Sequence, residues 1–143
     1  MAPALTTDDA CTVNPFEYSS HPIERFDIVV YEAPDDVKRR TNQKGEVPFL
    51  KRVLGLPGEK LEIRNNLLYI NDQLIEEPFE KIVDEHDPKK SYGPITIAKD
   101  LYFVAGDNRP NSDDSRYNEH GLIRKQDIFS KVTKIHSGYY KGR

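Results

Sequence analysis

Disulfide cross-links are excluded at the outset, because the 143 residues hold a single cysteine, Cys11. One thiol cannot close a bridge within the chain or build a multi-cysteine metal site. It sits in the apolar-leaning run Ala10–Val13 and reads as buried filler. Long apolar runs are also missing. No stretch approaches the ~20 residues of a membrane span, and no signal-peptide pattern is present. A membrane anchor, if the protein has one, therefore lies outside this chain. A basic surplus is missing too. Lys and Arg number 21 against 24 Asp and Glu, for a net charge of −3 and a pI near 5.8, which argues against nucleic-acid binding. The densest basic run, Lys38-Arg39-Arg40, reads as a solvated loop. Apolar residues reach only 36%, enough for one compact but thin core.

Helical periodicity is nearly absent as well. What recurs is short β-type runs between turn residues. Strands are expected over Ala10–Val13, Phe26–Tyr31, Phe49–Leu54, Lys60–Arg64, Leu67–Ile70 and Gln73–Ile75, and then over Ile95–Ala98, Leu101–Ala105 and Ile128–Ile135. Asn65-Asn66 and Asn71-Asp72 tolerate the positive φ of tight hairpin turns. Only Arg124–Asp127 and part of Asn111–Arg116 look like short helical turns. Residues 32–47 and 80–93 read as loops, and Ser137–Arg143 as a frayed tail. The fold class is all-β: mostly antiparallel sheets joined by tight turns, in one domain over residues 1–143.

Two segments carry chemistry. In Phe49–Gly58, strand alternation puts Phe49, Lys51 and Val53 on one face and Leu50, Arg52 and Leu54 on the other. Lys51 thus shares a face with apolar neighbours. An amine held there loses hydration, its pKa falls, and a lysine neutral near pH 7 to 8 can act as a general base. The bland alternative is a lysine snorkelling to water from a half-buried strand.

The second segment, Gly106–Arg116, is a dense polar loop after an apolar strand. A calcium loop of the EF-hand type would need Gly at its sixth position and Glu at its twelfth. Counted from Asp107, those positions hold Ser112 and Asn118, so the pattern fails. Asp107, Asp113 and Asp114 can instead pair with Arg109, Arg116 or Arg52, making a rigid shelf on which Ser112 could orient a lysine amine by a hydrogen bond. No Gly-x-Ser-x-Gly elbow or His-Glu-x-x-His motif is present. The cluster Asp84-Glu85-His86-Asp87 reads as a solvated loop, not a metal site. His21, His120 and His136 are scattered, and no Ser/His/Asp set follows from their positions. No metal or cofactor is expected.

Four stretches, in order, resemble type I signal peptidases. Met1-Ala2-Pro3-Ala4-Leu5 is similar to Ser-Met-x-Pro-Thr-Leu without its serine, and Asp9 follows at about the expected spacing. Phe26–Tyr31 is similar to Gly-Asp-Ile-Val-Val-Phe. Lys51–Glu59 is the third stretch. Gly106–Arg116 is similar to Gly-Asp-Asn-Arg-x-Asn-Ser-x-Asp-Ser-Arg. The last two are highly specific and shift the balance at Lys51 from snorkelling to base.

The resemblance implies a Ser/Lys endopeptidase acting on the signal peptides of exported preproteins, with a mostly antiparallel, partly open barrel fold. Lys51 matches the general base, and Ser112 the hydroxyl that orients its amine. Asp114 and Arg116 match a loop pair bracing the site, Asp107 braces Arg52, and Leu5 and Leu50 match residues lining apolar pockets for small side chains. The domain would lie on the outer face of the cytoplasmic membrane, held by an N-terminal anchor upstream of this chain. Three positions depart from the pattern: Phe26 for glycine, Ala4 for threonine and Pro110 for an acid, all expected to be tolerated. The serious departure is the nucleophile, whose place immediately precedes Met1. A trimmed soluble fragment, a start assigned too late and a natural non-catalytic relative are three explanations, and the presence of Lys51 and Ser112 favours the first two. This chain by itself is expected to be inert. The rival of another class is a non-catalytic peptide-binding β domain using the same groove. A self-cleaving repressor-type protease shares the chemistry but lacks the second loop.

Overall fold

The computed structural model describes residues 1–141. In chain order the elements are β1 (Ala10–Asn14), α1 (Glu17–Ser20), β2 (Ile28–Glu32), α2 (Asp35–Arg40), β3 (Pro48–Gly55), β4 (Lys60–Arg64), β5 (Leu67–Ile70), β6 (Gln73–Ile75), β7 (Tyr92–Thr96), β8 (Leu101–Ala105), β9 (Ile123–Arg124) and β10 (Ile128–His136). Short 3₁₀ turns cover Arg109–Asn111 and Lys125–Asp127. The strands form a six-stranded sheet in the order β1-β10-β2-β3-β8-β9 and a four-stranded sheet in the order β6-β5-β4-β7, with no closed barrel. Every strand pairing in the two sheets is antiparallel.

The two central strands explain how a thin supply of apolar residues suffices. Alternation along β3 sends Val53 into one core and Leu54 into the other, and along β8 Tyr102 and Val104 face the first while Phe103 and Ala105 face the second. The first core adds Ile23, Val29, Tyr31, Ile123 and Ile128. The second is closed by the four-stranded sheet through Leu61, Ile63, Leu68 and Ile70. Period-2 side-chain geometry makes one sheet serve both cores. The sheets meet closely at Gly55, where a Cβ would lie 2.4 Å from Ile97 Cδ1 and 2.7 Å from Leu61 Cδ1.

The hairpin turns take the form expected of them. Asn65 and Asn66 have φ of 48° and 67°, Asn71 and Asp72 of 51° and 65°, the all-positive geometry of two-residue type I′ loops. Other expectations need correction. Residues 32–47 are not all loop, since α2 occupies their centre. Pro34 stands before it, Asp35 and Asp36 open it, and Lys38, Arg39 and Arg40 close it, the charge order a helix dipole favours. The basic run is therefore helical rather than loop, with Arg39 and Arg40 still exposed to solvent, and each cation has a partner: Lys38 bonds Glu32, Arg39 bonds Asp36 and Arg40 bonds Asp113. The strand expected over Ile95–Ala98 starts earlier, at Tyr92, inside a stretch read as loop. Arg124 belongs to β9, and the turn follows it. Cys11 is half-buried on the edge strand rather than in a core. Residues 137–141 are tied down: the Gly138 N–H donates to Asp9 Oδ1 at 2.7 Å, and the Tyr140 N–H to the Asp8 carbonyl at 2.9 Å. The last two residues of the expected frayed tail lie outside the described residues.

Candidate functional site

β3 and the loop after β8 build the site together. Antiparallel pairing of β3 with β8 sets Arg52 opposite Ala105, so the chain leaves β8 beside Lys51 and enters the polar loop there. The loop holds its shape through buried charge pairs. Arg52 Nε and Nη2 donate to both Asp107 oxygens at 2.9 and 2.7 Å, and Nη1 donates to the Phe26 carbonyl at 2.9 Å. Arg116 Nε and Nη2 grip Asp114 at 2.8 and 2.9 Å, and Nη1 reaches Asp87 at 3.2 Å. Asp107 and Asp114 have no solvent exposure. Such bidentate, charge-assisted pairs are rigid as well as strong. Arg109 finds Glu77 rather than an aspartate of its own loop, and Asp113 finds Arg40. Asp87, from a segment read as solvated, is buried against Arg116. Burial alone would raise the Asp114 carboxyl. The hydrogen bonds and charge of Arg116, with help from Ser112 and the Gly106 N–H, outweigh it and hold Asp114 below its ordinary value.

Lys51 projects from the face opposite Arg52. Its Nζ lies 5.1 Å from the centroid of the Phe49 ring, and it makes no hydrogen bond or ion pair among the described residues. Burial lowers its pKa, outweighing the pull of Asp114 and Asp113 toward the charged form. That is the electrostatic condition a neutral amine needs. The α-amino group of Met1 is half-buried nearby, and its own pKa is lowered by burial and then by the positive charge of Lys51.

The Ser112 hydroxyl is buried and accepts the Gly106 N–H at 3.0 Å. It makes no direct hydrogen bond to Lys51 here. What joins them is Gly106, since a Cβ at that position would lie 2.3 Å from Ser112 Oγ and 3.7 Å from Lys51 Cδ. Gly106→Ala is therefore expected to push Ser112 off its place. The cost should be about 1–3 kcal/mol of stability, typical of overpacking, read as a fall in melting temperature.

Phe26, the residue standing where the motif has glycine, has φ 74°. That left-handed conformation is one glycine adopts freely and a bulky residue rarely does. Its neighbours hold it there. The Phe26 N–H donates to the Val53 carbonyl at 2.7 Å, its carbonyl receives Arg52, and its ring packs edge-on against Phe79 at 5.4 Å. Pro110 sits within the 3₁₀ turn Arg109–Asn111, where its fixed φ is compatible. Leu5 and Leu50 are both half-buried. No group of three or more His, Cys, Asp or Glu among the described residues is placed to hold a metal.

One cluster on the Lys51 face was not visible in the sequence. Tyr31, the cross-strand partner of Phe49, bonds His120 through its hydroxyl at 2.8 Å. The His120 ring stacks on Phe49 at 6.1 Å. The Tyr31–Phe49 pairing follows from strand register. No sequence signal places His120 beside them, because it comes from a loop 69 positions after Lys51.

The sequence profile of the family described as "Signal peptidase, peptidase S26" matches residues 1–136. Signal peptidase I P of Bacillus subtilis subsp. natto is 37% identical over 134 residues, covering 90% of this chain and 67% of the relative. Signal peptidase I of Leptolyngbya laminosa is 33% identical over 132 residues, covering 92% of this chain and 62% of the relative. The chain thus spans about two thirds of the length of these relatives. The crystal structure of a signal peptidase I from Enterococcus faecalis V583 superposes with a TM-score of 0.60 at 28% identity, covering 79% of this chain and 98% of that one.

Proposed function

The chain belongs to the signal peptidase family, peptidase S26, a family of proteases, and we propose that it is the catalytic region of a Ser/Lys endopeptidase that removes signal peptides from exported preproteins. The single observation that carries this reading is the partly dehydrated Lys51 amine beside a loop clamped by two buried Arg–Asp pairs. In this reading a serine joined to Met1 attacks the scissile carbonyl. Lys51 takes its proton as general base, and the acyl-enzyme is then hydrolysed by water. Ser112 supplies the hydroxyl that orients the Lys51 amine. Arg52, Asp107, Asp114 and Arg116 hold the loop, and Leu5 and Leu50 line the pockets for small substrate side chains. The serine's own N–H would serve as one oxyanion donor. The whole protein would act at the outer face of the cytoplasmic membrane through an upstream anchor. No helix among the described residues is long and apolar enough to cross a membrane.

The test is cleavage of a preprotein by the protein extended upstream of Met1 with serine at the joining position. The expected product begins just after a small residue that has another small residue two positions before it. Absence of cleavage, with the extended protein folded, would favour the non-catalytic peptide-binding reading.

A further inference from the structure

The wall behind the Lys51 amine is made of rings from three separate segments. Phe49 precedes Lys51 by two residues on the same face of β3, so its ring is the amine's apolar neighbour, with 5.1 Å between Nζ and the ring centroid. The same ring stacks on the His120 imidazole, at 6.1 Å and an interplanar angle of 29°. Tyr31 from β2 meets both edge-on, 6.1 Å from Phe49 and 5.8 Å from His120. His120 is only 3% exposed, and both its ring nitrogens are engaged. A carbonyl can only accept, so Nδ1 donates to the Gly121 carbonyl at 3.1 Å, and in the neutral ring Nε2 accepts the Tyr31 hydroxyl at 2.8 Å. An imidazole fixed at both nitrogens has its orientation set and no polar atom left for substrate.

We propose that His120 is a positioning residue for Lys51: its locked imidazole holds the Phe49 ring as the dry wall that keeps water from the lysine amine. The inference rests on the reading of Lys51 as general base, and it assigns His120 no contact with substrate or nucleophile. The charged groups facing this cluster fit the role. Asp113 and Asp114 from the loop favour the charged form of both Lys51 and His120. Burial opposes them at each residue, and Lys51 adds its own repulsion at His120. Dehydration, together with the positive charge of the nearby Met1 amine, thus holds Lys51 toward its neutral form against two carboxylates. Its balance depends on the wall staying closed.

The test follows the Lys51 side chain by NMR in the 143-residue protein with isotope-labelled lysine, the Lys51 signal being assigned by its loss in Lys51→Arg. This readout needs no catalysis. In the parent, Lys51 should titrate below the ordinary lysine range. In His120→Ala the wall opens, water reaches the amine, and the titration should move up by about one pH unit, a tenfold change. His120→Phe restores a ring against Phe49 and should return the titration to within about 0.3 units of the parent, a shift of about twofold. Phe49→Ala should raise it at least as far as His120→Ala, and the double variant no further, because both act through one wall. If His120→Ala does not fold, His120→Gln, which keeps a polar partner but has no ring to stack, should show the same upward move. A parent value below the ordinary range that is unmoved in His120→Ala or His120→Gln overturns the role of His120 and leaves Lys51 as base. An ordinary parent value overturns both.

Discussion

Lys51→Ala in the serine-bearing protein is expected to cut preprotein cleavage by about 10³- to 10⁴-fold, the upper range for loss of a general base. No neighbouring group can take over. Ser112 receives the Gly106 N–H at 3.0 Å and is itself an alcohol, too weak a base to help. His120 has both nitrogens engaged. The fold should survive, because Lys51 makes no hydrogen bond or ion pair among the described residues. Removing a poorly hydrated amine relieves its burial and forfeits only its contact with the Phe49 ring. The expected signature is therefore a lost rate beside an unchanged or slightly higher melting temperature, measured by single-turnover cleavage and thermal unfolding on the same preparation. Cleavage at the parental rate would remove Lys51 from the mechanism.

Arg116→Met is expected to cost about 3–5 kcal/mol at neutral pH, the range for breaking one side of a buried ion pair. Arg116 is 1% exposed and reaches Asp114, Asp87 and the Arg109 carbonyl. Its removal leaves buried carboxylates without their cation. The loss has a sign in pH that distinguishes it from simple loss of packing. In the parent, Asp114 is held below its unfolded value. Its contribution is present above the unfolded value and lost as pH falls through the folded one. Without Arg116, burial dominates and raises the folded-state value above the unfolded one. The variant should then regain stability as pH falls through that raised value and lose it as pH rises. Urea unfolding of parent and variant at pH 7 and near pH 4.5 reads this directly. The gap should narrow on acidification. A gap under about 1 kcal/mol at pH 7, or one that does not narrow, would mean the buried pair is not what stabilises the loop.

The sequence showed most of this architecture where side-chain period and turn chemistry are local. β4, β5 and β6 begin and end where alternation and the Asn-rich turns indicated. α2 was hidden for a physical reason: its six residues contain one apolar side chain, Val37, so no helical stripe exists to be seen. β9, only two residues long, is made by pairing with β8 and is too short to show alternation. Alternation placed Lys51 and Arg52 on opposite faces of β3 correctly. The partners of the loop charges were only partly visible. Asp107 with Arg52 and Asp114 with Arg116 were among the pairings on offer, while Glu77, Asp87 and Arg40 arrive from segments whose approach is decided by tertiary packing. His120 had no local signal at all. Its role depends on a buried hydrogen bond to Tyr31, 89 positions away.

All of this turns on whether the Lys51 nitrogen is uncharged when the reaction runs. The pH dependence of kcat/KM for preprotein cleavage by the serine-bearing protein reports that directly. The expected profile rises on its acid side with one ionisation that lies below the ordinary lysine range. A profile that keeps rising until that ordinary range is reached would contradict it.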